Sequence, residues 1–202
     1  MTAVNDRIIR KIRAKQRGWV FTPKDFLDFG SRAAIDQALS RLARAGVIRR
    51  LDRGLYDYPK QHAVLGTLSP DVDRIADAVS AKTGESVFPS GAMAANYMGL
   101  STQVPAKPSY LTNGASKVRK IAGRTLTFKH ARVPILDQVP AQVNYTLQAL
   151  AYLGRDNVDA DVIKRCAKRL DGRDLKALNA SRAVVPGWMA DVILKIESAA
   201  HG

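Results

Sequence analysis

The chain has 202 residues, 46% of them hydrophobic, and a net charge of +14 with an isoelectric point of about 10.2. This length suits one large domain or two small ones, and no apolar run approaches the ~18 residues of a membrane-spanning helix. The N-terminus is basic but lacks the apolar stretch of a secretory signal. A single cysteine, Cys166, excludes an internal disulfide. We therefore expect a cytoplasmic protein that has no membrane partner.

The positive charge is concentrated in the N-terminal third of the chain. Residues 1–60 carry fourteen Lys/Arg against six Asp/Glu, which gives +8, and the other 142 residues carry 18 against 12, which gives +6. Such a concentration is typical of a nucleic-acid partner, because binding to phosphates releases counterions. Basic proteins also bind acidic proteins or membranes, so charge alone leaves these alternatives open.

The first 45 residues predict three helices and one short strand. The first helix begins near Asn5, and the strand covers residues 19–21. Thr22 is expected to cap the second helix, which is short. Ser31 is expected to cap the third, which runs over residues 32–45 and ends at a glycine.

The third helix has a polar face that suits a position in the major groove of DNA. At about 100° per residue, one side carries Ile35, Ala38, Leu39 and Leu42. The opposite side carries Ala33, Gln37, Ser40, Arg41 and Arg44. Side chains of these polar types donate hydrogen bonds to base edges and phosphates. An ordinary amphipathic helix with a solvated back gives the same pattern, so the helix alone leaves both interpretations open.

The stretch after this helix predicts a β-hairpin with arginines at its tip. Residues 47–51 and 55–58 are strand-like, and Asp52-Arg53-Gly54 forms a tight turn between them. Helix, strand, two helices and a hairpin, in this order, are typical of a winged helix-turn-helix. The hairpin is then the wing, whose arginines reach the sugar-phosphate backbone or the minor groove.

We therefore predict a DNA-binding domain over residues 1–62. The residues expected to contact DNA are Thr22, Ser31, Arg32, Ala33, Gln37, Ser40, Arg41, Arg44, Arg49, Arg50 and Arg53. Double-stranded DNA is the expected partner.

The segment Ile35–Pro59 resembles the recognition helix and wing of AbiEi-family antitoxins. The family pattern is a Leu-x-x-Leu helix followed by Gly-x-Ile-x-Arg, Gly-x-Tyr and a proline. Here it comprises Leu39, Leu42, Gly46, Ile48, Arg50, Gly54, Tyr56 and Pro59. The segment Ser90–Gly114 is similar to the one that follows the winged helix in that family, which extends the resemblance to residues 5–135. The resemblance implies an antitoxin that represses its own operon and counteracts, directly or indirectly, a nucleotidyltransferase toxin encoded beside it.

The rest of the chain predicts a mixed α/β domain with a helical C-terminus over residues 63–202. Residues 62–69 are expected to be a linker, and a helix capped by Ser69 follows. Strands are predicted at 118–121 and 125–130, and helices at 141–153, 159–170, 173–182 and 186–199. The predicted fold class is therefore α+β, with an N-terminal winged helix-turn-helix followed by this mixed domain.

A second basic surface is predicted from residues 86–136, which contain no acidic residue. Its cations are Lys107, Lys117, Arg119, Lys120, Arg124, Lys129 and Arg132. Such a surface would lengthen the DNA footprint or bind an acidic or RNA-associated partner. A basic sheet face without a ligand is the alternative.

No convincing catalytic set appears in the sequence. The histidines at 62, 130 and 201 lie far apart, one cysteine makes no zinc cluster, and a Walker phosphate loop is absent. We expect no metal, no cofactor and no enzymatic activity. The predicted function is sequence-specific repression by an AbiEi-like antitoxin. The alternatives are a winged-helix regulator unrelated to a toxin and, less favoured, an enzyme that modifies the toxin or nucleic acid.

Overall fold

The computed structural model describes residues 3–103 and 107–201. The protein has the predicted α+β composition, with all strands before residue 131 and helices beyond residue 140. By their contacts the described residues form two units. The N-terminal unit comprises the residues up to Glu85 together with Arg119–Leu126, and the C-terminal unit comprises Ser86–Val118 and the residues from Thr127 onward. This division differs from the predicted boundary at residue 62, and a DNA-binding domain over residues 1–62 stays a prediction.

The N-terminal unit begins with the order of elements that the sequence predicts. The elements are α1 (Ala3–Ala14), β1 (Val20–Phe21), a 3-10 helix (Pro23–Phe29), α2 (Arg32–Arg44), β2 (Arg49–Asp52) and β3 (Leu55–Asp57). The strands form an antiparallel sheet in the order β1-β3-β2. Asp57 lies opposite Val20 on one side of β3 and opposite Arg49 on the other.

The helices of this unit pack on the sheet through an apolar core. Ile8 and Ile12 of α1 and Ile35 of α2 are buried, as are two aromatic residues beside them, whereas Ile9 of α1 is partly buried. The buried set includes Ile8, Ile12, Phe21, Phe26, Ile35, Leu39, Leu42 and Ile48. The rings of Phe21 and Phe26 meet edge to face with their centroids 5.5 Å apart, a preferred arrangement for aromatic pairs. The helical periodicity of the sequence therefore identified the buried side of α2.

The segment predicted as a linker, residues 62–69, is partly ordered into a small hairpin. Its strands are β4 (Gln61–His62) and β5 (Gly66–Thr67), which pair antiparallel. Inside the turn, His62 Nδ1 accepts hydrogen bonds from the amides of Val64 and Leu65, each at 3.2 Å. The helix that follows is α3 (Val72–Thr83), and its cap is Asp71 rather than the predicted Ser69.

The remaining strands form one four-stranded sheet, and the helices after it form the C-terminal part. The elements are β6 (Val87–Pro89), α4 (Gly91–Tyr97), β7 (Ser109–Thr112), β8 (Lys117–Ile121), β9 (Arg124–His130), α5 (Ala141–Leu153), α6 (Ala160–Arg169), α7 (Gly172–Ala180) and α8 (Gly187–His201). The strand order is β6-β7-β9-β8, with β6 antiparallel and β9 parallel to β7. None of the helices in the described ranges combines the length and apolar character needed to cross a membrane.

Helices α4 to α8 bury a second apolar core in the C-terminal unit. Its members include Ala94, Leu147, Leu150, Cys166, Leu178, Met189 and Ile193. Burial raises the pKa of the Cys166 thiol to about 12, because the thiolate would lose its hydration. The thiol is therefore uncharged at neutral pH, and the cysteine packs as a small apolar residue.

Helices α4 and α5 approach closely at Gly91. A Cβ added at Gly91 would lie 2.7 Å from Tyr152 Cβ and 3.0 Å from the Gln148 carbonyl oxygen. Gly187, by contrast, has open space where its Cβ would be. The packing of this helix pair therefore depends on the absence of a side chain at Gly91.

We predict that Gly91→Ala lowers the free energy of unfolding of the C-terminal unit by about 1–3 kcal/mol, because the added methyl overpacks the helix interface. Gly187→Ala is the matched control and should change it by no more than about 0.5 kcal/mol. Urea denaturation followed by Trp188 fluorescence in a Trp19→Phe background measures this unit separately. Equal midpoints for the two alanine variants would contradict the described packing of α4 on α5.

Candidate nucleic-acid interface

Helix α2 divides into a buried side and an exposed side. Its first turn is fixed by Ser31, whose Oγ accepts a hydrogen bond from the Ala34 amide at 3.3 Å. Ile35 and Leu39 have no exposed surface. The predicted DNA-contacting positions of α2 are exposed, apart from the half-buried Ser40: Arg32, Ala33, Gln37, Arg41 and Arg44. At about 100° per residue, all of them except Arg32 lie on one accessible face, whereas Arg32 lies three residues before the buried Ile35 and off this face.

The exposed polar side chains of α2 differ in how far they are already engaged. Arg32 forms an ion pair with Asp36 one turn later, with Nε 3.0 Å from Oδ2. Arg44 lies 3.5 Å from the Ser40 hydroxyl, at the limit of a hydrogen bond. Within the described part of the chain, the side chains of Gln37 and Arg41 have no hydrogen-bond partner. Their donors are therefore available to a ligand without breaking an internal contact.

The turn between β2 and β3 presents two further arginines. Its shape depends on Gly54, whose φ of 64° lies in the left-handed region. The Asp52 carboxylate accepts a hydrogen bond from the Arg53 amide at 2.7 Å, which closes the turn. Arg50 and Arg53 are both exposed, and Arg50 Nε makes one long hydrogen bond, at 3.4 Å, to the Asp52 carbonyl oxygen. Two guanidinium groups are thus presented at one turn of the same unit as α2.

The turn is also anchored by two cations from elsewhere in the N-terminal unit. Lys82, at the end of α3, donates a hydrogen bond to the Arg53 carbonyl oxygen. Arg119 forms an ion pair with Asp52, its guanidinium nitrogen 3.4 Å from Oδ2. Desolvation lowers the pKa of Lys82, and the nearby Asp52 opposes this shift. No sequence pattern pointed to Lys82, because its partner is a main-chain atom 29 positions earlier.

The structure corrects the prediction that Thr22 contacts DNA. Only 1% of Thr22 is exposed. Its hydroxyl and its amide both donate to Asp25 Oδ2, at 3.0 and 2.8 Å. The local signal was present in the sequence, since an acid three residues after a helix-capping threonine is the capping-box pattern. Thr22 stabilises the start of the 3-10 helix and is not available to a ligand.

Arg49 is the second correction to the predicted interface. Its guanidinium pairs with Asp57 through two hydrogen bonds, at 3.1 Å to Oδ1 and 2.6 Å to Oδ2. It also donates to the Leu68 carbonyl oxygen at 3.0 Å. Asp57 is 1% exposed, so its carboxylate has lost most of its hydration and needs a cationic partner to compensate. Arg49 therefore holds the base of the hairpin together, whereas Arg50 and Arg53 are accessible to phosphates.

The second basic surface is the third correction, because its cations do not share one face or one unit. Lys117 and Arg119 lie on the same side of β8 as the buried Ile121, and Lys120 lies on the other side. The cations that belong to the N-terminal unit are Arg119, Lys120 and Arg124. Those that belong to the C-terminal unit are Lys107, Lys117, Lys129 and Arg132. Because successive side chains of a strand point to opposite sides, the sequence already indicated that Lys120 lies on the other side of β8 from Lys117 and Arg119.

Among the residues that the structure describes, no group of three or more His, Cys, Asp or Glu side chains is placed to hold a metal ion.

A family profile described as "Family of unknown function (DUF6088)" matches residues 7–178, which is most of the chain. The protein belongs to the DUF6088 family. The matched range includes most of α1 and all of α2, the β2–β3 hairpin and the four-stranded sheet. No curated protein matches this DUF6088 sequence.

We predict that Arg49→Ala destabilises the N-terminal unit and that Arg50→Ala, its neighbour, does not. Losing Arg49 should cost about 2–4 kcal/mol, because it leaves a buried carboxylate unpaired, although Arg49 itself is partly exposed. Arg50→Ala should stay within about 0.5 kcal/mol of the parent. Urea denaturation followed by Trp19 fluorescence in a Trp188→Phe background is the measurement. Equal losses in the two variants would refute the structural role of Arg49.

Proposed function

We propose that this protein binds double-stranded DNA through α2 and the β2–β3 hairpin of its N-terminal unit. The observation that carries the proposal is the exposed face of α2, where Gln37 and Arg41 have no partner among the described residues while Ile35 and Leu39 on the opposite side are fully buried. A helix that is fixed from behind presents its polar face as a rigid surface. Such a helix in the major groove reads base edges through glutamine and arginine donors.

The hairpin supports the same proposal as a second contact. Winged helix-turn-helix domains have the order of elements seen here, and β2 and β3 are antiparallel neighbours joined by this turn. Arg50 and Arg53 at this turn suit contacts with phosphates, which position a protein on DNA without reading sequence. On this interpretation α2 supplies specificity, and the hairpin supplies salt-dependent affinity.

We further propose that the protein acts in the cytoplasm as an AbiEi-like antitoxin that represses its own operon. The support is the resemblance over residues 35–59. Two glycines of that pattern, Gly46 and Gly54, have φ values of 69° and 64°, which side-chain-bearing residues rarely adopt. These two positions of the pattern are thus explained by a backbone conformation that favours glycine. Regulation without a toxin is the alternative function, and the product of the neighbouring gene distinguishes the two.

We predict that two pairs of alanine substitutions separate specificity from affinity. Gln37→Ala/Arg41→Ala should reduce the preference for DNA from the protein's own promoter over random duplex, by about 1–3 kcal/mol for each base contact removed. Arg50→Ala/Arg53→Ala should weaken binding to both duplexes and lower the log–log salt slope by about 1 for each phosphate contact removed. Fluorescence anisotropy at several salt concentrations gives both quantities.

Arg165→Ala/Lys168→Ala is the control with two cations removed from α6 of the C-terminal unit. It should bind both duplexes as the parent does. The proposed roles would be wrong if the α2 pair left the preference unchanged, or if the hairpin pair left the salt slope unchanged.

The antitoxin proposal predicts that repression and neutralisation are separable in the full-length chain. A Gln37→Ala/Arg41→Ala/Arg44→Ala variant should lose repression of a promoter–reporter fusion, because its DNA-reading face is removed. It should still restore growth when the neighbouring gene is expressed, because counteracting the toxin does not require promoter binding. Growth and reporter output are scored in the same cells. A neighbour that is not toxic would favour the regulator without a toxin.

A further inference from the structure

The C-terminal unit contains a cleft of about 350 Å³ between strands β7 and β9 and helices α4 and α5. This volume lies within the range of small-molecule sites in proteins, which begins at roughly 300 Å³. The start of α4, strand β7, the end of β9 and the last turns of α5 all contribute to its walls. The lining residues with functional side chains include Ser109, Lys129, Arg132, Gln148 and Tyr152.

The charge of the cleft is positive and uncompensated. No residue that lines it is acidic, whereas Lys129 and Arg132 are both exposed cations. Across residues 3–103 and 107–201, neither side chain forms a hydrogen bond or an ion pair. Lys129 is fixed in the sheet opposite Leu111 of β7, so its position is set by the parallel strand pair. Two free cations at one concave site attract an anion and can donate charge-assisted hydrogen bonds to it.

A neutral hydrogen-bond acceptor lies in the same wall. Gln148 is 1% exposed, and its Nε2 donates to the carbonyl oxygens of Val133 and Pro134 at 3.3 and 3.2 Å. These two bonds fix the orientation of the amide. Its carbonyl oxygen Oε1 has no hydrogen-bond partner in the described part of the chain. An acceptor without an internal partner at the wall of the cleft can accept a hydrogen bond from a ligand N–H or O–H.

An aromatic ring completes the lining. Tyr152 is 47% exposed, which is unusual for so large a side chain on a helix that is otherwise mostly buried. Its Cβ is held against α4 at Gly91, where there is no room for another side chain. The ring therefore has a fixed base and an accessible surface, and a planar ligand group can stack on it.

We propose that this cleft binds a 5′-mononucleotide. Lys129 and Arg132 bind the phosphate, the base stacks on Tyr152, and Gln148 Oε1 accepts a hydrogen bond from the base or the sugar. A phosphate alone would use only the cations, and a nucleoside would use only the ring and the amide. The three features together fit a ligand that carries both groups. This proposal is independent of DNA binding by the N-terminal unit.

Isothermal titration calorimetry of the full chain tests the proposal with AMP, GMP, CMP and UMP in turn. Inorganic phosphate, the unphosphorylated nucleosides and a 5′-phosphorylated oligonucleotide are the comparison ligands. The variants are Lys129→Ala/Arg132→Ala and Tyr152→Ala. The control is Arg155→Ala/Lys164→Ala, which removes the same charge from exposed positions outside the cleft. Thermal melting of each variant verifies that it is folded.

At least one mononucleotide should bind more tightly than inorganic phosphate and its own nucleoside. Its affinity should fall about tenfold for each cation removed, since a charge-assisted hydrogen bond disappears, and the control should bind as the parent does. Folded Tyr152→Ala should also bind more weakly. The proposal is overturned if no mononucleotide binds, if phosphate binds equally well, or if the control weakens binding as much as the cleft variants. Tighter binding of the oligonucleotide through Lys129 and Arg132 would also overturn it, by assigning the cleft to nucleic-acid ends.

Discussion

A buried carboxylate, that of Asp57, sets the arrangement of the N-terminal unit. It lies on the central strand of the three-stranded sheet, where almost none of its surface reaches water. A charge in this position needs a partner with good geometry, and Arg49 supplies one through two hydrogen bonds across the strand pair. The pair fixes the register of β2 against β3. The same guanidinium binds the Leu68 carbonyl oxygen, so it also ties the chain just before α3 to the sheet.

The consequence of this arrangement is a preorganised polar surface. The β2–β3 hairpin begins at the Arg49–Asp57 pair and ends in a turn that is anchored by Lys82 and Arg119. Helix α2 is fixed by its buried side. Neither element needs to be ordered by a ligand, which lowers the entropic cost of binding. Arg49 and Arg119, which pair with Asp57 and Asp52, hold this surface in place. The exposed arginines without a carboxylate partner, such as Arg50 and Arg53, supply its outward-facing charge.

Local patterns predicted most of the elements, because helix periodicity, capping residues and turn glycines act over a few residues. The buried side of α2 and the four C-terminal helices were predicted for this reason. The role of Arg49 was not, since Asp57 and Leu68 are brought to it only by the folded sheet. The short strands β4 and β5 were also missed, because two residues are too few to show a periodicity of two.

No sequence pattern predicted the cleft in the C-terminal unit. Its lining residues come from four elements spread over more than sixty positions, and their side chains look ordinary one by one. The sequence did record the absence of acids between residues 86 and 136. That observation predicted one continuous basic surface, whereas strand alternation and the two units distribute the cations over separate places. Composition thus indicated the sign of the charge but not its location.

The central claim is that α2 and the β2–β3 turn form the DNA-contacting surface. NMR chemical-shift mapping of ¹⁵N-labelled full-length protein, titrated with a duplex from its own promoter, tests this claim most directly. We expect the largest changes at the side-chain amide of Gln37, along the exposed side of α2, and at residues 52–54. Changes confined to the C-terminal unit, or none at promoter concentrations that saturate binding, would contradict the claim.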